Sequence, residues 1–239
     1  MILRRFMAVL LLIATSASAQ PPEDSAHNLF RQGIKKYAAG NYQEGLDLFL
    51  LALQRNPSPP DIEPAKIHYN IGIGHYRLSQ PEQAGKSFLN ATKTPDLSLQ
   101  SDAYFNLGNS LYQQAQNLLN EGDVAPAFRM FQSASTNFME SLRLRSDDRN
   151  AKINFELSIQ AQMKILQMVA MAMSRFQRGQ QLVEEFQFVE AAEWFYQNLP
   201  LVEKALSIEP EIKKQFETMA ERSAAVADII APVESGGFP

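Results

Sequence analysis

The sequence predicts an all-α fold of stacked helix-turn-helix units, with lengthened third and fourth hairpins and a capping helix at the C-terminal end. Two observations predict it. Gly33, Gly72 and Gly108 are each followed four residues later by a tyrosine, Tyr37, Tyr76 and Tyr112. A small residue, a phenylalanine at i+4 and an alanine at i+7 recur as Gly45-Phe49-Ala52, Ala84-Phe88-Ala91 and Ala127-Phe131-Ala134. Those offsets share one helix face, so small residues let two helices approach and the aromatic fills the space between them. The chain has no cysteine, so its core must hold by packing alone.

Residues 1–19 read as a secretory signal. Arg4 and Arg5 precede an apolar stretch from Met7 to Ala14, and Ser16-Ala17-Ser18-Ala19 sets small residues where a signal peptidase reads, with the cut after Ala19. The stretch is shorter than the roughly 20 residues a bilayer span requires. The expectation is therefore export across the inner membrane, and a periplasmic location in a two-membrane bacterium. Residues 20–26 form a linker. Without the leader, 20 basic side chains face 26 acidic ones, a net charge of −6. That balance gives no electrostatic case for nucleic acid, which requires clustered Lys and Arg.

The units follow in order. Gly40-Asn41-Tyr42-Gln43-Glu44 forms the turn between two helices, Asn56-Pro57 closes the first unit, and Ala103-Tyr104-Phe105-Asn106-Leu107-Gly108-Asn109 opens the third. On these residues the chain resembles the tetratricopeptide-repeat (TPR) family, whose helix-turn-helix unit is about 34 residues long. The resemblance spans residues 28–148 and assigns three repeats to residues 27–148. It implies a solenoid whose first helices line a concave, peptide-binding face.

The third unit departs from the pattern. Gly33 lies 7 residues before the turn glycine Gly40, whereas Gly108 lies 14 before Gly122. Its second helix also overruns, because Ala134 recurs as Ser141. Each helix therefore gains 7 residues, about two turns, and the hairpin is expected to stand out from the array as a longer arm. Residues 149–210 hold a long helical stretch, continuous or divided in two, and a degenerate fourth unit marked by Gly179, Ala191 and Phe195. Pro200 is expected to kink or break the second helix of that unit. Residues 211–231 form the amphipathic capping helix. Pro232 stops it, leaving residues 232–239 as a flexible tail.

The TPR resemblance implies that the inward-facing positions bind. Phe30, Tyr69 and Phe105 form one level, and Tyr37, Tyr76 and Tyr112 a second, with Asn70 and Asn106 between them. Asn109 and Arg77 complete the set. Tyrosine combines contact area with a polar tip, and asparagine can both donate to and accept from a peptide backbone. Tyrosine at those positions also has a purely structural reading. Arg77 has Ala38 and Gln113 as counterparts, so no basic clamp for a carboxylate terminus is expected. Met163, Met168, Met171 and Met173 could form an adaptable binding surface, but are expected to fill the irregular core of the long helices. Trp194 is expected to be an inter-helix wedge.

No catalytic, metal or cofactor site is expected. His68 and His75 share a helix face without an acid at ligand spacing, and no cysteine completes a zinc set. Gly72-Ile73-Gly74 lacks the third glycine of a phosphate loop. Glu184, Glu185 and Glu190 read as solvated.

The third unit, together with Asn150-Ala151-Lys152-Ile153-Asn154-Phe155-Glu156-Leu157, is similar to TPR proteins of the Bacteroides aerotolerance type. That resemblance implies a von Willebrand factor A-domain membrane protein as partner class. The expected function is that of an exported protein-interaction scaffold. The alternatives are a chaperone-like holdase and a self-associating structural protein.

Overall fold

The computed structural model describes residues 25–234. The expected signal, most of the linker and most of the tail lie outside those residues. The described residues are all-helical, in the order α1 (Ala26–Ala38), α2 (Tyr42–Arg55), α3 (Pro64–Arg77), α4 (Pro81–Ala91), α5 (Leu97–Glu121), α6 (Val124–Leu144), α7 (Arg149–Glu184), α8 (Phe188–Ala205), a 3-10 turn (Leu206–Ile208) and α9 (Pro210–Glu234). Each helix packs chiefly on its neighbours in the chain.

Local chemistry sets the boundaries. The Asp96 carboxylate accepts from the N–H groups of Ser98 and Leu99 and so starts α5, and Asp148 does the same for α7 through Ala151. Pro64 and Pro81 occupy first helical positions, where a missing N–H costs nothing. Gly40 at φ 84° and Gly122 at φ 94° reverse the chain after α1 and α5. The Asn56 side chain closes the first unit, accepting from Ile62 N at 3.2 Å and donating to Ile62 O at 2.7 Å.

One contact recurs through all four hairpins. A Cβ on Gly33, Gly72, Gly108 or Gly179 would lie 2.6, 2.7, 2.6 or 2.4 Å from the ring of Phe49, Phe88, Phe138 or Phe195 respectively. All four rings are fully buried. In the third hairpin Gly108 faces Phe138, seven residues beyond Phe131, in keeping with the seven-residue overrun of the second helix. Phe131 instead joins Ala115 in a second tier, with Tyr112 and Val124 in the same cluster. The aromatic three residues before each small residue follows suit: Phe105 meets Phe138 at 5.9 Å between ring centroids, and Tyr112 meets Phe131 at 5.1 Å. The third hairpin thus carries the packing motif twice, and its extra turns lie next to Gly122. At 25 and 21 residues, α5 and α6 outrun α1 and α2 at 13 and 14.

The lengthened hairpin does not stand free. Ile165 of α7 and Ile208 of the 3-10 turn close over Ala115, Val124, Ala127 and Phe131. Two extra turns of apolar face require cover, and α7, unbroken over 36 residues, supplies it. Its buried residues Ala151, Ser158, Ile165, Ala172 and Gly179 recur every seven, the spacing of a continuous packing seam. Pro200 does not break α8, which runs on to Ala205. Pro200 and Tyr196 are exposed, so the turn that lacks this hydrogen bond lies on the solvent side of α8. Pro232 likewise does not stop α9, which continues to Glu234; in a last turn it removes one bond from an end that frays in any case.

Candidate protein-binding groove

The first helices of successive hairpins share one face of the stack. Arg77 of α3 donates from Nε to the Tyr37 hydroxyl of α1 at 3.0 Å. Asn106 of α5 donates to the Tyr69 hydroxyl of α3 at 3.1 Å. Asn154 of α7 donates to Asn109 Oδ1 of α5 at 2.7 Å. Arg145, just beyond α6, bonds Asp102 Oδ1 at 2.7 Å and Ser98 Oγ at 3.0 Å, tying down the start of α5.

Beyond the Asn109–Asn154 bond the face opens into a groove. A cavity of about 310 Å³ is bounded by Tyr76 of α3, by Asn109, Tyr112, Gln113 and Gln116 of α5, and by Asn154 and Leu157 of α7. A second, of about 570 Å³, shares Tyr112, Gln113, Gln116 and Leu157 and continues past Asn120, Gln160 and Lys164 to Met168. The groove exists because α3 ends at Arg77 while α5 runs on to Glu121.

Of the sequence-predicted residues, the groove brings together Tyr76, Asn109 and Tyr112. The others lie elsewhere. Phe30, Tyr69 and Phe105 turn their rings onto Phe49, Phe88 and Phe138. Burial, reinforced by the nearby Asp102 charge, pushes the Tyr69 phenol above its ordinary pKa. Tyr37 stacks obliquely on Tyr42, with centroids 5.1 Å apart, and holds Arg77. Asn70 folds back to donate to Lys66 O at 2.8 Å.

Gln113, Gln116, Asn154 and Leu157 were missed as site residues. The signal was present in α5, where Asp102, Asn106, Asn109, Gln113, Gln116 and Asn120 step by four and three residues along one helix face. The first three find protein partners. Among the described residues, the side chains of Gln113, Gln116 and Asn120 make no hydrogen bond, and Gln113 Oε1 is buried without one.

The methionine expectation needs correction. Met163, Met171 and Met173 are exposed, and only Met168 packs on the core. α7 covers its neighbours with one seam, and these three residues lie off it. Trp194 wedges between α8 and α7, donating from Nε1 to Arg175 O at 2.9 Å. Burial lowers the His68 pKa and the Lys93 charge adds to the effect; His75 Nδ1 pairs with Gln80 Oε1 at 2.6 Å. Among the described residues, no group of three His, Cys, Asp or Glu could hold a metal ion, and no helix is long and apolar enough to cross a membrane.

No protein-family model matches the chain, and no curated protein matches it.

Proposed function

We propose that this chain is an exported TPR scaffold that holds a protein partner along the face built from the first helices of its hairpins. The observation that carries the reading is the groove itself, in which three successive first helices contribute Tyr76, Tyr112 and Leu157 beside a row of amides. Two aromatic rings and an aliphatic side chain give contact area, and the amides give directional hydrogen bonds. The recurrent glycine–phenylalanine contact and the positive-φ turns support assignment to the TPR family. The resemblance implies an envelope complex with a von Willebrand factor A-domain membrane protein.

The test is affinity capture from the native envelope fraction, comparing the chain with a Tyr76→Ala/Gln116→Ala variant of confirmed helicity. One or a few partners lost in the variant is the expected result. A broad set of partners held equally by both would contradict the groove. Exposed Met163, Leu166, Met171 and Met173 favour a second reading in that event, a holdase working through the outer surface of α7.

A further inference from the structure

Helix α7 carries two lines of residues at heptad spacing. The first, from Ala151 to Gly179, is the buried seam that packs on α6 and α8. The second lies on another side of the helix and runs Ile159, Met163, Leu166, Ala170 and Met173, in alternating steps of four and three. Met163, Leu166, Ala170 and Met173 are exposed, and Ile159 is half-buried. Single exposed apolar side chains are ordinary, but five in this order are the knob positions of a two-helix seam. Polar residues continue the same line at both ends, with Lys152 and Glu156 before it and Gln177, Gln180 and Glu184 after it. Among the described residues, the side chains of Lys152 and Glu184 have no ion-pair partner.

We infer that this second line is an antiparallel dimer interface, and that its occupant is α7 of a second copy of the chain. Charge and volume along the line select the direction and the register. With Leu166 of one copy against Ala170 of the other, a large side chain meets a small one twice, and Met163 meets Met173 twice, as two-fold symmetry requires. The same register sets Lys152 of each copy opposite Glu184 of the other, and Glu156 opposite Gln180. A shift by one heptad buries Glu156 against Met173, or Leu166 against Gln177, and separates Lys152 from Glu184. A parallel pair would set Lys152 on Lys152 and Glu184 on Glu184, and would leave a gap where Ala170 meets Ala170. From Lys152 to Glu184 the line is about 48 Å long at 1.5 Å per residue, and a helix about 10 Å across then buries about 1,000 Å² in total. That is the low end for a specific interface, so the dimer is reversible, with a dissociation constant on the order of micromolar. Asn154 and Leu157, which border the groove, lie off this line, so the interface is distinct from the groove and does not depend on it.

The test is sedimentation velocity of the exported chain over about 1–300 μM, a range that brackets a weak interface, with and without Leu166→Lys. The parent is expected to pass from monomer to dimer, and Leu166→Lys, at a position 50% exposed, to keep its helicity and stay monomeric. Lys152→Glu and Glu184→Lys should each weaken the dimer about two- to thirtyfold, the range for losing two exposed ion pairs, and together restore it. Contacts within one copy would not give that rescue, because residues 152 and 184 lie near opposite ends of α7. The chain has no cysteine, so Lys152→Cys/Glu184→Cys reports the register directly. Under mild oxidation it is expected to form a disulfide-linked dimer, and neither single-cysteine variant to do so. A chain monomeric throughout, a dimer indifferent to Leu166→Lys, cross-linking of the single variants, or none in the double variant overturns the inference. A monomeric chain that keeps denatured lysozyme in solution, and loses that capacity in Leu166→Lys, would also overturn it and assign the line to a holdase.

Discussion

Replacing Gly108 by alanine should destabilise this protein, although the same change in an open helix interior stabilises by about 1 kcal/mol. The added Cβ would lie 2.6, 2.8 and 2.9 Å from three atoms of the Phe138 ring. That ring has no solvent to retreat into, and Phe105 presses on it with centroids 5.9 Å apart. Forcing a carbon into such a site costs about 1–3 kcal/mol. The rigid ring puts the cost in the upper half of that range, and after the propensity gain a net loss of about 1 kcal/mol remains. For a chain of this length that lowers Tm by about 2–4 °C, measurable by far-UV circular dichroism. The double-mutant cycle fixes the register. Phe138→Leu should relieve the Gly108→Ala penalty, whereas Phe131→Leu should add to it independently. An unchanged or higher Tm for Gly108→Ala, or rescue by Phe131→Leu, would refute the packing described.

Gly85 provides the contrast: a Cβ there meets Gln114 Nε2 at 3.4 Å and nothing else closer than 3.7 Å, so Gly85→Ala should stabilise by up to about 1 kcal/mol in the same melts. Phe186 occupies the left-handed turn position at φ 61° and is 80% exposed. Phe186→Gly should relieve about 1–2 kcal/mol of strain against roughly 0.5–1 kcal/mol of added chain entropy, giving a small rise in Tm; a fall would show that the edge contact with the Phe188 ring, 6.2 Å between centroids, outweighs the strain. The folded state binds a proton at His68 less tightly than the unfolded state does. Its contribution to stability is therefore present above about pH 6.5 and lost as the pH falls from there through the lowered folded value. His68→Gln should flatten that part of the Tm-versus-pH profile relative to the parent, and an identical profile would contradict the assignment.

The recurrent glycines and phenylalanines were legible as two separate patterns, because a tightly packed contact tolerates few alternatives, but their pairing across each hairpin was not. The partner of Gly108 in the third hairpin was not legible for a physical reason. An insertion of seven returns side chains to the same face, so Phe131 and Phe138 fit the local pattern equally, and only the position of Gly108 across the interface separates them. The aromatic levels were legible as recurrences but not as sites. Phe30, Tyr69 and Phe105 recur to serve the core, whereas Tyr76 and Tyr112 border open space. Gln116 escaped notice because it lies in a turn with no counterpart in the shorter units, and Gln113, the counterpart of Arg77, was read only as the lack of a basic clamp. Exposure of Met163, Met171 and Met173 depends on which face of α7 is covered, and composition does not encode that.

Site-specific photo-crosslinking in the native envelope tests the central claim most directly. A benzoylphenylalanine replaces Gln116 on the floor of the groove in one chain and Lys86, on the exposed side of α4, in another. The account predicts a discrete cross-linked polypeptide from position 116, absent when Tyr76→Ala is added, and none from position 86. Cross-links of equal strength from both positions, or from position 86 alone, would contradict it.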